Sequence, residues 1–235
     1  INVWEKYLKK NIKKKYKRIH NDGIFVSDEM PEAFDEVFWR VFLNRKYIHK
    51  NSISIHNIKE YEMQEYQKYI NIITHRENKD LYISKNNNNL LRLNSFKNLK
   101  NTFLIVTFRD PFFQSYSLLK THKILCKNQK KNSFILNYMN YLVHHEFGFN
   151  FKNLRFKKNF ITEYDISNIN FWLSYWVYVY ENILKNYKQS SNIQFLAYEK
   201  FNKKVSLILK KFNLNLLLSN KNLFKNKNNF EKLKN

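Results

Sequence analysis

The sequence predicts an α/β fold in which a parallel sheet carries helices on both faces. Short apolar or β-branched segments near residues 81–84, 103–107 and 193–197 alternate with longer segments of helical periodicity, and this alternation is typical of parallel sheets. With 235 residues and 43% hydrophobic content, the chain is long enough to bury one substantial core. We therefore expect one domain over residues 1–218, followed by a flexible Lys/Asn-rich tail at 219–235.

Helical periodicity and helix-start signals place the other elements. Pro31 opens a helix that runs to about Phe42, because Phe34, Val37 and Phe38 recur at helical spacing. Further helices are expected at about 57–73, 111–127, 133–145, 168–187 and within 198–212. We also expect a basic helix or frayed segment at 4–18, a short strand at 24–26 and an irregular basic, aromatic loop at 147–164.

The segment FLIVTFRDPFFQSYS, residues 103–117, carries the strongest functional signal. Its apolar strand runs into Arg109 and Asp110, and Pro111 suits the first turn of a helix. Ser117 follows Arg109 by eight positions, about two helical turns in from the end of the strand. A guanidinium, a hydroxyl and helix-start amides at the carboxyl edge of a strand together form an anion site. The alternative is a buried arginine that caps the strand structurally.

This Arg-x7-Ser pattern in a strand–turn–helix setting resembles the 3′-phosphate-binding motif of sulfotransferases that use PAPS (3′-phosphoadenosine 5′-phosphosulfate). The resemblance implies a P-loop-NTPase-like three-layer sandwich, with PAPS or its product PAP bound at the carboxyl edge of the strands. It implies that Arg109 and Ser117 contact the 3′-phosphate. The implied activity is transfer of a sulfuryl group to a hydroxyl or amine acceptor, which is left open among small alcohols, carbohydrates, lipids and peptides.

Other segments within 24–212 are similar to the same family. The family places a lysine after a short strand, where it reaches the sulfonate bridge, and Lys85 after Leu81–Ser84 resembles it. The family also has a strand that runs into Tyr-Glu near the adenine, and Asn192–Ala197 followed by Tyr198 resembles that segment. Two further similar segments are the Trp-containing Phe171–Trp176 and His144–Gly148.

One departure from the family concerns the loop that cradles the 5′-phosphosulfate. Sulfotransferases carry a glycine-containing loop of the type Ser-Gly-Thr-Thr early in the domain. This sequence contains two glycines, Gly23 and Gly148, and neither is placed between a strand and a helix with Ser/Thr neighbours. The sequence begins at Ile1. We therefore expect an N-terminally incomplete domain whose isolated chain binds PAPS poorly and transfers no sulfuryl group. A degenerate relative that no longer binds the phosphosulfate is the alternative.

Sulfuryl transfer also needs a base that removes the proton of the acceptor. The acidic segment beginning at Asp28 resembles the segment that holds the general base of tyrosylprotein-type sulfotransferases, so Glu29 is the first candidate, with Asp28 and Glu32 as rivals. All three carboxylates also suit the amino end of the next helix. His144 and His145 are the other candidates, and at most one of them faces the site, because adjacent helical side chains diverge by roughly 100°.

Composition limits the partners of the chain. Lysine and arginine number 42 against 19 acidic residues, so the formal net charge is +23. This charge favours an anionic ligand, a membrane surface or nucleic acid, although codon bias towards Lys and Asn explains much of it. The single cysteine, Cys126, excludes an internal disulfide and a cysteine-based metal cluster, and it fits a cytoplasmic location. No metal is expected, and no apolar run reaches the roughly 18–20 residues of a membrane span.

Two other function classes remain as alternatives. A basic nucleic-acid-binding module with interleaved aromatic residues fits the charge, but the sequence has no helix-turn-helix, zinc or RNP pattern and its basic residues are dispersed. A nucleotide kinase shares the expected sheet, but the sequence lacks a GKS or GKT loop. We therefore favour the sulfotransferase and expect no nucleic-acid partner.

Overall fold

The computed structural model describes residues 16–17, 25–26, 34–97, 99–188, 190–201 and 207. Over these residues the chain is a mixed α/β protein with small parallel sheets and helices, which confirms the predicted class at this coarse level. The predicted tail and the three candidate bases Asp28, Glu29 and Glu32 lie outside the described residues.

Helices and short strands alternate along the chain. Strands β1 (Tyr16–Lys17) and β2 (Phe25–Val26) precede helix α1 (Asp35–Phe42), strand β3 (Ser52–Ser54) and helix α2 (Glu60–Arg76). A 3₁₀ helix (Asn87–Leu91) and the short helix α3 (Leu93–Phe96) lead to strand β4 (Leu104–Phe108) and the long helix α4 (Pro111–Lys131). Next come helix α5 (Ser133–Tyr141), strand β5 (Asn153–Arg155), helix α6 (Ile169–Tyr187), strand β6 (Ile193–Ala197) and a 3₁₀ turn (Tyr198–Lys200).

Two parallel strand pairs position the candidate site. β4 pairs with β6 along its whole length, from Leu104 opposite Ile193 to Phe108 opposite Ala197. β3 pairs with β5, also in parallel, while β1 and β2 form an antiparallel pair. Because β4 and β6 are parallel, their carboxyl ends meet at one edge, and the residues that follow both strands are brought together there. The strands predicted near 103–107 and 193–197 are confirmed.

The helices after β4 begin where the sequence predicts. The Asp110 carboxylate accepts a hydrogen bond of 3.1 Å from the Phe113 N–H, and Pro111 occupies the first turn, where no amide hydrogen is needed. The side chain of Asn132 accepts a 3.0 Å bond from the backbone N–H two residues later and so begins α5. Helix α5 ends at Tyr141, earlier than expected, and Val143 just beyond it has a left-handed φ of 59°.

Two other sequence predictions are wrong. Residues 81–84 form no strand, since the segment 81–86 has no backbone pairing with any strand in the described ranges. The loop predicted at 147–164 contains β5, because Leu154 is buried and its neighbours pair with β3. In both places, whether a strand forms depends on a pairing partner distant in the sequence. The periodicity of the local sequence carries no information about that partner.

Aromatic side chains form a connected part of the core. Trp39 of α1 is fully buried, and its ring centroid lies 4.6 Å from that of Tyr66 on α2 and 6.4 Å from that of Phe96 on α3. Such pairs stabilise a core beyond the area that they bury. Trp172 and Ile183 of α6 are also fully buried. The packing of α1, α2 and α3 around Trp39 fixes the start of α1, where two acidic residues lie.

Glu36, near the start of α1, forms a buried ion pair with Arg92. The two residues are only 4% and 1% exposed. The Arg92 guanidinium donates two hydrogen bonds of 2.8 Å, one to each carboxylate oxygen, and the Tyr47 hydroxyl donates a third of 2.5 Å. Burial alone would raise the pKa of Glu36, but the charge and hydrogen bonds of Arg92 hold it below its ordinary value. The pair ties α1 to the residue that begins α3.

Replacing Arg92 with methionine should destabilise the fold by about 3–5 kcal/mol, because it leaves the Glu36 carboxylate buried without its cation. Chemical denaturation measures the change in the free energy of unfolding. The control is Lys68→Met, which removes the exposed ion pair with Glu65 (2.7 Å) and should cost less than about 1 kcal/mol. Equal losses for the two variants would contradict a stabilising role for the buried pair.

Candidate functional site

A cavity of about 410 Å³ opens beside both parallel strand pairs. It is lined by the consecutive residues 103–107, by Ile53 of β3 and by Leu154 of β5. Because successive side chains of a strand point to opposite faces, five consecutive lining residues indicate that the cavity follows an edge of β4. Within the described part of the chain, β6 is the one strand that pairs with β4. The cavity therefore offers backbone donors and acceptors of β4 as well as side chains.

Helix α6 supplies an aromatic wall to this cavity. Trp172, Tyr175, Trp176 and Tyr180 all line it. The Trp176 indole N–H donates a 3.0 Å hydrogen bond to the Gln114 side chain, so the orientation of that ring is fixed. Aromatic walls with a few oriented polar groups are typical of sites for small ring-containing ligands.

Polar and charged residues enter the cavity from two segments. Ser84, Lys85 and Asn87 come from the stretch before and at the start of the 3₁₀ helix, and His145 and Glu146 come from the stretch after α5. The Asn87 amide donates a 2.7 Å hydrogen bond to Glu146, so the two segments meet. A cation, a carboxylate and an imidazole therefore border one cavity, which is the set of groups that acid–base chemistry on a charged substrate requires.

His145 is neutral at physiological pH. The residue is 6% exposed, and its buried Nδ1 has no hydrogen-bond partner among the residues that the structure describes. Burial lowers the pKa of His145 to about 4, with a further contribution from the charge of Lys152 and partial opposition from Glu146. A neutral imidazole can accept a proton, so His145 has the protonation state of a general base.

Glu146 is a carboxylate anion at the same pH. Burial would raise its pKa, but the hydrogen bond and charge of His144 and the hydrogen bond from Asn87 lower the pKa to about 2. The His144 ring nitrogen lies 3.6 Å from the carboxylate. Because its pKa is so low, Glu146 is a weaker proton acceptor than His145 and instead contributes a fixed negative charge to the cavity.

The carboxyl ends of the neighbouring parallel strands β4 and β6 bring Arg109 and Tyr198 together. The guanidinium carbon of Arg109 lies 5.3 Å from the centroid of the Tyr198 ring and 5.7 Å from that of Phe113, within the range of cation–π attraction. The guanidinium donates no hydrogen bond to any residue in the described ranges. Two rings thus hold the guanidinium in place, while its five N–H donors find no acceptor among the described residues.

Gln114 links this edge to the cavity. Its side-chain oxygen accepts hydrogen bonds of 3.0 Å from the backbone N–H of Arg109 and from Trp176, and Gln114 itself lines the cavity. Its amide donates to the Tyr180 hydroxyl at 3.3 Å. The turn that presents Arg109 is therefore fastened to the aromatic wall, although Arg109 and Tyr198 are not among the residues that line the cavity.

Ser117 is exposed on α4, whereas Ser115 is fully buried and its hydroxyl has no hydrogen-bond partner in the described part of the chain. The structure thus presents the Ser117 residue to solvent rather than to the core. The geometry of the described residues assigns the Ser117 hydroxyl no role of its own.

The structure brings together part of the predicted site. Arg109 and Tyr198 meet at the sheet edge, and Lys85 borders the cavity with His145. Glu29 is outside the described residues. Sequence reasoning missed Glu146, Lys152, Gln114 and the carboxylate pair at residues 35 and 36. The Asp-Glu dipeptide signals only a helix start, and no local pattern marks the others as site residues.

No family model, curated protein or solved structure matches this chain. Among the described residues no helix is both long and apolar enough to cross a membrane, and no three His, Cys, Asp or Glu side chains are grouped as metal ligands would be. The chemistry of the site therefore has to follow from its own residues.

The burial of His145 predicts a pH-dependent stability. Between about pH 4 and 6.5 the unfolded chain binds a proton that the folded imidazole does not, so stability rises with pH across this window and is lost as pH falls. The contribution amounts to roughly 3 kcal/mol. Denaturation curves of the wild type and of His145→Asn at several pH values measure it as the difference in slope. The exposed His75→Asn is the control, and a His145→Asn slope equal to that of the wild type would contradict the assignment.

Proposed function

We propose that this chain is the core of a PAPS-dependent sulfotransferase that moves a sulfuryl group to a hydroxyl or amine acceptor. On this proposal the two parallel strand pairs belong to a P-loop-like three-layer sandwich, and PAPS or PAP binds at the carboxyl ends of β4 and β6. The acceptor is a carbohydrate, a lipid, a small alcohol or a peptide.

The observation that carries the proposal is the environment of Arg109. Its guanidinium stands at the carboxyl end of a parallel strand, beside Tyr198 just after the neighbouring strand, and its N–H groups have no acceptor among the described residues. A planar fork of N–H groups matches the oxygens of a phosphate, and the aromatic ring beside it suits an adenine base. A structural cap would donate to carbonyl oxygens or a carboxylate, which this arginine does not do among the described residues.

The cavity groups fit the transfer step. In that step the bond between sulfur and the bridging oxygen of PAPS breaks, a bond from sulfur to the acceptor oxygen or nitrogen forms, and the proton of the acceptor goes to a base. PAP leaves with increased negative charge, and on this proposal the Lys85 ammonium stabilises that charge. Glu29 is the first candidate for the base, and His145 is the rival that borders the cavity with Lys85.

Arg109→Ala should weaken PAP binding by about 1.5–3 kcal/mol, which is roughly a 10- to 150-fold rise in Kd, because it removes charged hydrogen bonds to the 3′-phosphate. Calorimetry on the full-length protein with PAP and with adenosine 5′-monophosphate measures the effect. The wild type should prefer PAP, and the variant should lose that preference, since adenosine 5′-monophosphate lacks the 3′-phosphate.

The controls separate this site from general charge effects. Arg76→Ala removes an exposed guanidinium at the end of α2 and should leave the Kd for PAP unchanged. The resemblance implies that the Ser117 hydroxyl also contacts the 3′-phosphate, so Ser117→Ala should weaken PAP binding, whereas Ser115→Ala should not. A wild type that binds a single-stranded oligonucleotide but shows no preference for PAP would reject the proposal in favour of nucleic-acid binding.

In the full-length protein, Glu29→Gln should lower the turnover of PAPS by roughly 10²–10⁴-fold while PAP affinity is unchanged, because a general base acts on the acceptor and not on the nucleotide. Release of PAP in the presence of phenol, carbohydrate and peptide acceptors measures turnover. His145→Asn is the matched comparison. If Glu29→Gln retains full turnover and His145→Asn loses it, the base is His145.

A further inference from the structure

In the segment 81–86, which contains Lys85, exposed and half-buried side chains alternate as they do in a β-strand. No strand in the described ranges pairs with this segment. Leu81, Ile83 and Lys85 are exposed, and Ile83 is 71% exposed. Tyr82 and Ser84, like Asn86, are half-buried. Side chains that are buried at every second position must pack against another part of the protein. Here the half-buried side chains of segment 81–86 face the start of α1 and not a β-sheet.

The inward side chains of the segment all donate to two consecutive carboxylates. Asp35 accepts a 2.6 Å hydrogen bond from the Tyr82 hydroxyl and a short one from the Ser84 hydroxyl. Glu36 accepts a 2.7 Å hydrogen bond from the Asn86 amide. The residues on either side of Lys85 are therefore each bonded to one of two adjacent acidic residues.

The two carboxylates are themselves buried and hydrogen-bonded to other elements. Asp35 is 1% exposed and accepts a further 2.8 Å hydrogen bond from Tyr66 of α2. Glu36 is held by the Arg92 fork and by Tyr47. Both lie in the first turn of α1, where the helix dipole favours negative charge. Hydrogen bonds to charged acceptors are the stronger kind, so the segment is anchored to a rigid base.

Lys85 depends on this anchoring because its ammonium makes no hydrogen bond or ion pair with any residue that the structure describes. We propose that Asp35 and Glu36 are positioning residues that hold segment 81–86 so that Lys85 borders the cavity. The effect of this anchoring on catalysis rests on the proposed function, in which Lys85 contacts the sulfonate. The anchoring of segment 81–86 does not depend on the proposed function.

Hydrogen exchange tests the anchoring without any nucleotide. In the double variant Tyr82→Phe/Ser84→Ala, the backbone amides of Asn88 and Asn89, which donate to the side chain and to the carbonyl oxygen of Asn86, should exchange about tenfold faster or more, because local opening costs less free energy. The control is Tyr61→Phe, which removes a hydrogen bond to Glu62 that does not involve Asp35 or Glu36 and should leave exchange at both amides unchanged. Unchanged exchange in the double variant, or an equal rise in the control, overturns the proposal.

Nucleotide binding tests the consequence for Lys85. In the double variant the Kd for PAPS should rise roughly three- to tenfold, while the Kd for PAP stays within about twofold, since PAP lacks the sulfonate. Ser84→Thr keeps the hydroxyl and should bind both nucleotides like the wild type. Equal changes for PAPS and PAP would overturn the positioning role. A full-length wild-type protein that binds neither nucleotide rejects the proposed function alone, and the exchange experiment still decides the anchoring.

Discussion

The buried pair of carboxylates at the start of α1 is the interaction on which the described structure depends. Asp35 and Glu36 receive hydrogen bonds from α2, from the turn at Tyr47, from Arg92 and from the Lys85 segment. Taking two adjacent charges out of water is costly unless each finds its full set of partners. Elements distant in the sequence therefore have to converge on these two side chains, and their convergence fixes one wall of the cavity.

The charges around the cavity are explained by the same rule, that a buried charge needs an ion-pair or hydrogen-bond partner. Glu36 is balanced by Arg92, and the charge of Glu146 is stabilised by His144 and Asn87. Within the described ranges, Lys85 and Arg109 are left without a carboxylate of their own. Unneutralised cations beside a cavity and at a sheet edge favour a ligand that carries more than one negative charge, which is the property of a bisphosphorylated nucleotide such as PAP.

Local chemistry made β4 and α4 predictable, because a β-branched strand followed by Asp110 and Pro111 leaves few alternatives. The contact of Arg109 with Tyr198 depends on β4 and β6 being neighbours, and the sequence does not specify that strand order. The burial of Asp35 and Glu36 could not be predicted, because the dipeptide suits any solvated helix start and Arg92 lies 56 positions away from Glu36. His144 and His145 were expected on a helix, and the left-handed Val143 ends that helix before them.

A crystal structure of the protein with bound PAP is the decisive experiment for the proposed nucleotide site. We predict the 3′-phosphate within about 3 Å of the Arg109 guanidinium, the adenine beside Tyr198, and the 5′ end directed towards the cavity that Lys85 borders. A nucleotide bound elsewhere, with Arg109 still stacked on its two rings and no phosphate in reach, would contradict this placement and the function that rests on it.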